Sequence, residues 1–181
     1  VEDHTGKAAK QYKGTFVVDT EGPRFALENP LPGTWVRSNE VQLACRVNDS
    51  HSGVDAKEVS VKVDGKSVGA KIEGGVIKAS FSVPAGPHRL EILATDRVGN
   101  RTRRLWRFEA DAVAPLFFNL GAKEKWALRI VDFASGIDPA TLRVEGPSSY
   151  VWDSLSGVLL VDRGAKISIA DRAGNRATFI E

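Results

Sequence analysis

An all-β chain of two tandem antiparallel β-sandwich domains, the second one shortened, is predicted by three observations. A tip of the form Asp-x-x-Gly occurs worn at Asp3–Gly6 and nearly verbatim at Asp96-Arg97-Val98-Gly99-Asn100 and Asp171-Arg172-Ala173-Gly174-Asn175. A second motif, Asp49-Ser50-His51-Ser52-Gly53-Val54-Asp55, returns as Asp132-Phe133-Ala134-Ser135-Gly136-Ile137-Asp138. Between these motifs lie short apolar runs, several of them alternating with polar residues, with turn residues roughly every eight to twelve positions. Motifs recurring in the same order mark repeats.

Taken in order, residues 1–20 resemble the end of a repeat. Phe16-Val17-Val18-Asp19, followed by Pro23 and Phe25, matches Phe108-Glu109-Ala110-Asp111, followed by Pro115 and Phe117. This stretch is expected to be the terminal strand of a preceding repeat, or a linker, in a larger protein. Residues 21–111 then make one complete repeat. A short strand near Phe25-Ala26-Leu27 precedes the period-2 run Val41–Val47. Val59–Val63 ends at the Asp64-Gly65 turn pair, and the run Val68–Ile72 meets Val76–Val83 across Gly74-Gly75. His88–Ala94 leads into the Asp96 hairpin and the strand Leu105–Ala110. Asp and Asn tolerate left-handed backbone and Gly supplies positive φ, so these tips are hairpin signals. About seven short strands in this order predict an immunoglobulin-like sandwich. Residues 112–181 repeat the pattern in shorter form, with the loss falling opposite Pro84–His88. At this size the second unit is marginal alone, and Trp126 and Trp152 are expected to supply core bulk.

Composition narrows the function classes. The chain has 181 residues, 42% of them hydrophobic, and 25 Lys+Arg against 23 Asp+Glu give a net charge of +2. That balance argues against a nucleic-acid or membrane-surface partner on charge alone. The basic run Arg101–Arg107 is expected to be a solvated strand face. The single cysteine, Cys45, shares a strand face with Val41, Leu43 and Val47, which makes it a core residue and excludes an intrachain disulfide. No apolar run approaches the ~18 residues of a membrane span. The sequence contains no Met, which suggests a processed product or an interior piece of a longer chain.

The paired motifs, Asp-x-x-Ser-Gly-Val/Ile-Asp and then Asp-Arg-x-Gly-Asn, resemble the bacterial Ig-like (cadherin-like) repeats of cell-surface and envelope proteins. The resemblance covers both units. It implies an exported, non-catalytic module, placed at the cell surface, outside the cell or in the periplasm. Its role would be that of a spacer or adhesive stalk; the alternative is a glycan- or peptidoglycan-targeting accessory module of a cell-wall hydrolase. Its partners would be other domains of the same polypeptide, and a cell-wall glycan or a protein.

Three sets of residues carry the candidate chemistry. In an Ig-like sandwich the loops after the second and sixth strands share a pole, and head-to-tail stacking brings the incoming linker to it. Asp49 and Asp96 are then expected beside Asp19 and Glu21, and Asp132 and Asp171 beside Glu109 and Asp111. Two readings of these carboxylates stand. Each Asp accepts backbone N–H bonds within its own turn, or the group binds Ca²⁺ at an interdomain site built on Asp49, Asp96, Asp111, Asp132 and Asp171, since Ca²⁺ takes 6–8 oxygens. No other cofactor is expected. The second set is Trp106, Tyr150 and Trp152, with Trp35 beside them: exposed, such rings would bind a glycan, and buried, they are core. The third is Asp49-Ser50-His51-Ser52, which holds the residue types of a hydrolase triad. Adjacency in sequence is not triad geometry, so an enzyme is not expected.

Overall fold

The computed structural model describes residues 13–121, 124–146 and 149–180, and among them every regular element is a strand. In the first sandwich the strands are β1 (Arg24–Asn29), β2 (Trp35–Arg37), β3 (Val41–Asn48), β4 (Val54–Val63), β5 (Lys66–Val68), β6 (Lys71–Glu73), β7 (Val76–Phe81), β8 (Gly86–Asp96) and β9 (Arg101–Asp111). They form a sheet in the order β1-β3-β7-β6 and a second in the order β2-β9-β8-β4-β5. Period-2 patterning decides which side faces in. Val41, Leu43, Cys45 and Val47 are buried while Gln42, Arg46 and Asn48 are exposed, as a strand with one wet face requires. The opposite sheet answers with Leu90, Ile92, Ala94 and Phe108. Cys45 is fully buried, and burial pushes its thiol up to about 11, so it packs as a small hydrophobe.

Two features depart from the sequence expectation. The single run Val68–Ile72 is in fact two strands, because the chain changes sheets between them: β5 pairs with β4, and β6 with β7. Trp35–Arg37 forms a strand that the sequence did not announce, parallel to the end of β9, with Arg37 opposite Asp111. Three residues are too few to show a period. The turn at Asp64-Gly65 follows expectation, with φ of 49° and 81° at its two residues. Positive φ at both central positions matches the twist of the flanking strands.

The second sandwich comprises β10 (Leu116–Asn119), β11 (Lys125–Val131), β12 (Ile137–Glu145), β13 (Tyr150–Asp153), β14 (Val158–Asp162), β15 (Lys166–Asp171) and β16 (Arg176–Phe179). The sheets run β10-β11-β14-β13 and β12-β15-β16. Its contraction is clearest in β15, which has 6 residues where β8 has 11. Its buried core is accordingly smaller, built on Leu128, Ile130, Leu159, Val161, Ile167 and Ile169. Trp126 and Trp152 pack against that core. Trp126 meets Phe179 edge-on at 5.6 Å, and the Arg163 guanidinium lies 4.7 Å from the Trp126 ring centroid.

Candidate functional site

The loop between β3 and β4 is folded around one carboxylate oxygen. Asp49 Oδ1 accepts the backbone N–H groups of His51, Ser52 and Gly53 at 3.1, 2.9 and 2.8 Å. Gly53 closes the loop at φ 79°, where a side chain would be strained. Its counterpart between β11 and β12 does the same: Asp132 Oδ1 accepts from Ala134 at 3.1 Å and Gly136 at 2.7 Å, with Gly136 at φ 78°. The hairpin tips dock beside these loops. Arg97 N–H donates to the Gly53 carbonyl at 3.0 Å, and Arg172 N–H to the Gly136 carbonyl at 2.9 Å.

Each tip is itself closed by an Asp–Asn pair. Asp96 accepts the Asn100 backbone N–H at 2.8 Å and the Asn100 side-chain amide at 2.7 Å. Asp171 accepts both from Asn175 at 2.8 Å. The same Asn amide also reaches the incoming chain. Asn100 Nδ2 donates to the carbonyls of Asp19 and Glu21 at 3.1 and 3.4 Å. Asn175 Nδ2 donates to those of Asp111 and Val113 at 3.2 and 3.4 Å. The incoming Asp answers with its carboxylate: Asp19 Oδ2 accepts Ser52 N–H at 3.0 Å, and Asp111 Oδ2 accepts Ser135 N–H at 3.1 Å. The two joints repeat the same linker contacts.

Three carboxylates therefore converge at each pole. One oxygen from each of Asp19, Asp49 and Asp96 lies within 4.8 Å of the others, and so it is for Asp111, Asp132 and Asp171. All five predicted acidic residues fall in these clusters, with Asp19 completing the first. Glu21 and Glu109 lie outside them; Glu21 instead pairs with Arg24 at 2.8 Å. The Asn side chains are the component that sequence reasoning missed. Asn100 and Asn175 stood out as turn formers, whereas their amides clamp the linker carbonyls. Their recurrence at one tip position was the available signal.

The electrostatics of the joints differ. The hydrogen bond with Ser52 holds Asp19 below the ordinary carboxylate range. Burial pushes Asp96 up, but the Asn100 amide and backbone bonds outweigh it, and Asp96 ends below its usual value. At Asp171 burial wins, helped by the charges of Asp111 and Asp132, and its carboxyl is raised. A carboxylate that accepts several N–H bonds is stabilised in its charged form, and desolvation or a like charge does the reverse.

The aromatic candidates are dispersed. Trp106, on β9 of the first sandwich, is half-buried and meets Phe25 edge-on at 6.1 Å. Tyr150 and Trp152 lie on β13 of the second, Tyr150 exposed and Trp152 packed against the core. Trp35 sits on β2. In the Asp49–Ser52 loop, Ser50 Oγ lies 3.4 Å from His51 Nδ1, both exposed. Asp49 Oδ1 is taken up by the loop's own backbone amides, whereas a triad needs its carboxylate on the imidazole. Chemically, the poles hold backbone and concentrate negative charge.

Among solved structures the chain is similar to the fibronectin(III)-like modules of CbhA from Clostridium thermocellum, with 13% identity and a TM-score of 0.54, over 86% of this chain and 90% of that one. Each unit has the Ig-like sandwich fold. A weaker likeness is to SGBP-B of a Bacteroides ovatus mixed-linkage glucan utilization locus, in complex with a mixed-linkage heptasaccharide (15% identity, TM-score 0.39, 89% of this chain and 46% of that one). Another is to the human desmocollin-1 ectodomain (16%, 0.33, 91% and 36%). No family model and no curated relative matches the chain.

Proposed function

We propose that this chain is a non-catalytic architectural segment of a larger exported protein, a spacer or adhesive stalk in which successive Ig-like modules are locked at set angles. The observation that carries the proposal is the node at Asp111. Its carbonyl accepts the Ser38 N–H of the first module at 2.9 Å and the Asn175 amide of the second at 3.2 Å, while its carboxylate accepts the second module's Ser135 N–H. Domains joined by a plain linker move by default; this linker is bonded on both sides and is itself fully buried at Asp111. Asp19 and Glu21 meet the first module's pole through the same bonds, which supports a serial arrangement with other domains of the same polypeptide. Glycan targeting through Trp106, Tyr150 and Trp152 would have to use rings in two separate modules. Two assays separate these readings. In small-angle scattering a locked pair keeps one maximum dimension, and a Gly-Gly insertion after Ala112 broadens the distribution. Peptidoglycan co-sedimentation of the intact chain is expected to give none in the pellet; saturable binding would transfer the assignment to the targeting module.

A cation at the joints is a second proposal, supported by the convergence of three carboxylates at each pole. Asp49 with Asp19 and Asp96, and Asp132 with Asp111 and Asp171, would supply part of the 6–8 oxygens of Ca²⁺, with backbone carbonyls and water completing the shell. Millimolar Ca²⁺ would then raise the melting temperature above that of an EDTA control, and Asp132→Asn would abolish the rise at the second joint. An unchanged melting temperature would leave the carboxylates as acceptors of backbone N–H alone.

A further inference from the structure

His88, near the start of β8, is buried, and both of its ring nitrogens are engaged. Nδ1 lies 2.7 Å from Asp64 Oδ2 in the β4–β5 turn, and Nε2 lies 2.8 Å from the Pro84 carbonyl in the β7–β8 crossover. The ring tilts against Phe108 of β9 at 5.4 Å. Asp64 and Lys66 are the charged residues lining the cleft beside it, with Val63, Phe81 and Ser82. Arg89 is exposed on the other face of β8, and its backbone N–H donates to Asp64 Oδ1 at 2.9 Å.

Both neighbours of the ring are acceptors. A carbonyl never donates, and Asp64 is a carboxylate. Burial would raise it, but the bonds from His88 and the Arg89 N–H outweigh burial and hold it below its usual value. A neutral imidazole carries one N–H and one lone pair. Either tautomer would set that lone pair against an acceptor at 2.7 or 2.8 Å. The geometry is that of the imidazolium.

We propose that His88 is a proton-operated clamp. As the imidazolium it ties the β7–β8 crossover to the Asp64 turn; as the neutral ring it lets the crossover go. The Pro84 contact is the one to break. Hydrogen bonds to an ionised partner are roughly twice as strong as neutral ones, so a ring left with one proton keeps it on Nδ1, facing Asp64. Its Nε2 lone pair then opposes the Pro84 carbonyl. The adjacent residue carries the consequence towards the joint: Val83 N–H donates to the Ser38 carbonyl at 2.8 Å, and Ser38 N–H to the Asp111 carbonyl at 2.9 Å. The second module holds no histidine, so the clamp acts on the Asp111 node from the first module's side. Its bearing on the angle between modules rests on the spacer reading above; the clamp itself does not.

Nuclear magnetic resonance of the intact chain at about pH 5.5 and pH 9 tests this, because histidine ordinarily changes charge between those limits. Ring ¹⁵N spectra should show hydrogen on both His88 nitrogens at the lower pH and on Nδ1 alone at the higher. Amide-exchange protection at Val83 and Ser38, corrected for the intrinsic rate, should fall about tenfold or more over the same step. Asp64→Asn supplies the control. Asn tolerates the positive φ of 49° at this turn position. Its amide can donate to Nδ1 while its carbonyl keeps the Arg89 N–H, so a neutral ring satisfies both neighbours. Protection in that variant should be the same at both pH values. Equal protection at both pH values in the unaltered chain would overturn the proposal. So would an equal fall in Asp64→Asn, which would place the titrating group elsewhere. These readings lie within the first module, so they stand or fall separately from the alignment of one module on the next.

Discussion

Asp49 and Asp132 fold their loops with the same backbone bonds, and Asn100 and Asn175 clamp the same two carbonyls of the chain that enters each pole. A few ångströms away the resemblance ends: Arg24, Glu28 and Ser50 of the first module face Leu116, Leu120 and Phe133 of the second across the alignment. The difference reflects what each region must satisfy. At the pole the acceptors answer backbone N–H groups and the Asn side-chain amides, and a buried N–H left alone costs ~1–3 kcal/mol. Substitution there is constrained by geometry. The outer sheet face answers only to what surrounds it, water or a partner, and its chemistry is free to diverge. The joints themselves are not identical in setting. Asp96 is held low by its amide bonds, while burial and two neighbouring carboxylates raise Asp171.

The largest contrast expected between the modules is in core truncation. Ile77 and Leu159 are equivalent and fully buried, and either one replaced by Ala costs about 3 kcal/mol. The second core is smaller, so Leu159→Ala should split urea unfolding into two transitions, with Trp126 and Trp152 reporting the earlier one. Ile77→Ala should instead lower the transition reported by Trp35 and Trp106. Next come the amide clamps. Asn175, buried, should lose ~2 kcal/mol on replacement by Ala, and the half-buried Asn100 ~1 kcal/mol, read from the same denaturation curves.

A steric swap distinguishes the joints at ~1–2 kcal/mol. A Cβ on Gly22 would lie 2.6 Å from Thr102 Oγ1 and 3.0 Å from the Arg101 carbonyl carbon. The second module holds Ala114 and Ala177 at the equivalent positions. Gly22→Ala alone should therefore destabilise the first joint, and adding Thr102→Ala should restore part of the loss in a double-mutant cycle. Additive losses would show that the backbone contact dominates.

The smallest effect is on titration. Asp96, with a depressed folded pKa, contributes stability that is complete above the unfolded carboxylate's value, ~3.9, and lost as pH falls through the folded value. Asp171, raised in the folded state, takes up its proton before the unfolded chain does, so acidification between its raised value and ~3.9 favours the folded second module. Carboxyl ¹³C shifts should show Asp171 protonating at a higher pH than Asp96; the reverse order would contradict the opposite directions in which the two joints shift these carboxyls.

Much of this was legible in the sequence. Large apolar residues at every second position of Val41–Val47 marked the inward face of β3, and the repeated Asp and Gly positions located both poles, because turn chemistry is local. Strand β2 was invisible since three residues carry no period, and its partner lies more than seventy positions on, at Glu109–Asp111. The change of sheet between β5 and β6 was hidden because each piece is equally short. The Asn clamp depends on where the linker arrives, which is a tertiary fact. The outward apolar residues of β10 were hidden for a different reason: Leu116-Phe117-Phe118 are all apolar, so no alternation told the inward Phe117 from its outward neighbours.

The claim that the Asp111 node fixes one module on the next is tested most directly by residual dipolar couplings of the intact chain in dilute alignment medium. The account expects couplings from 24–111 and from 116–180 to fit a single alignment tensor, and Asn175→Ala to separate the two fits while each sandwich keeps its own. Two independent tensors in the unaltered chain would contradict it.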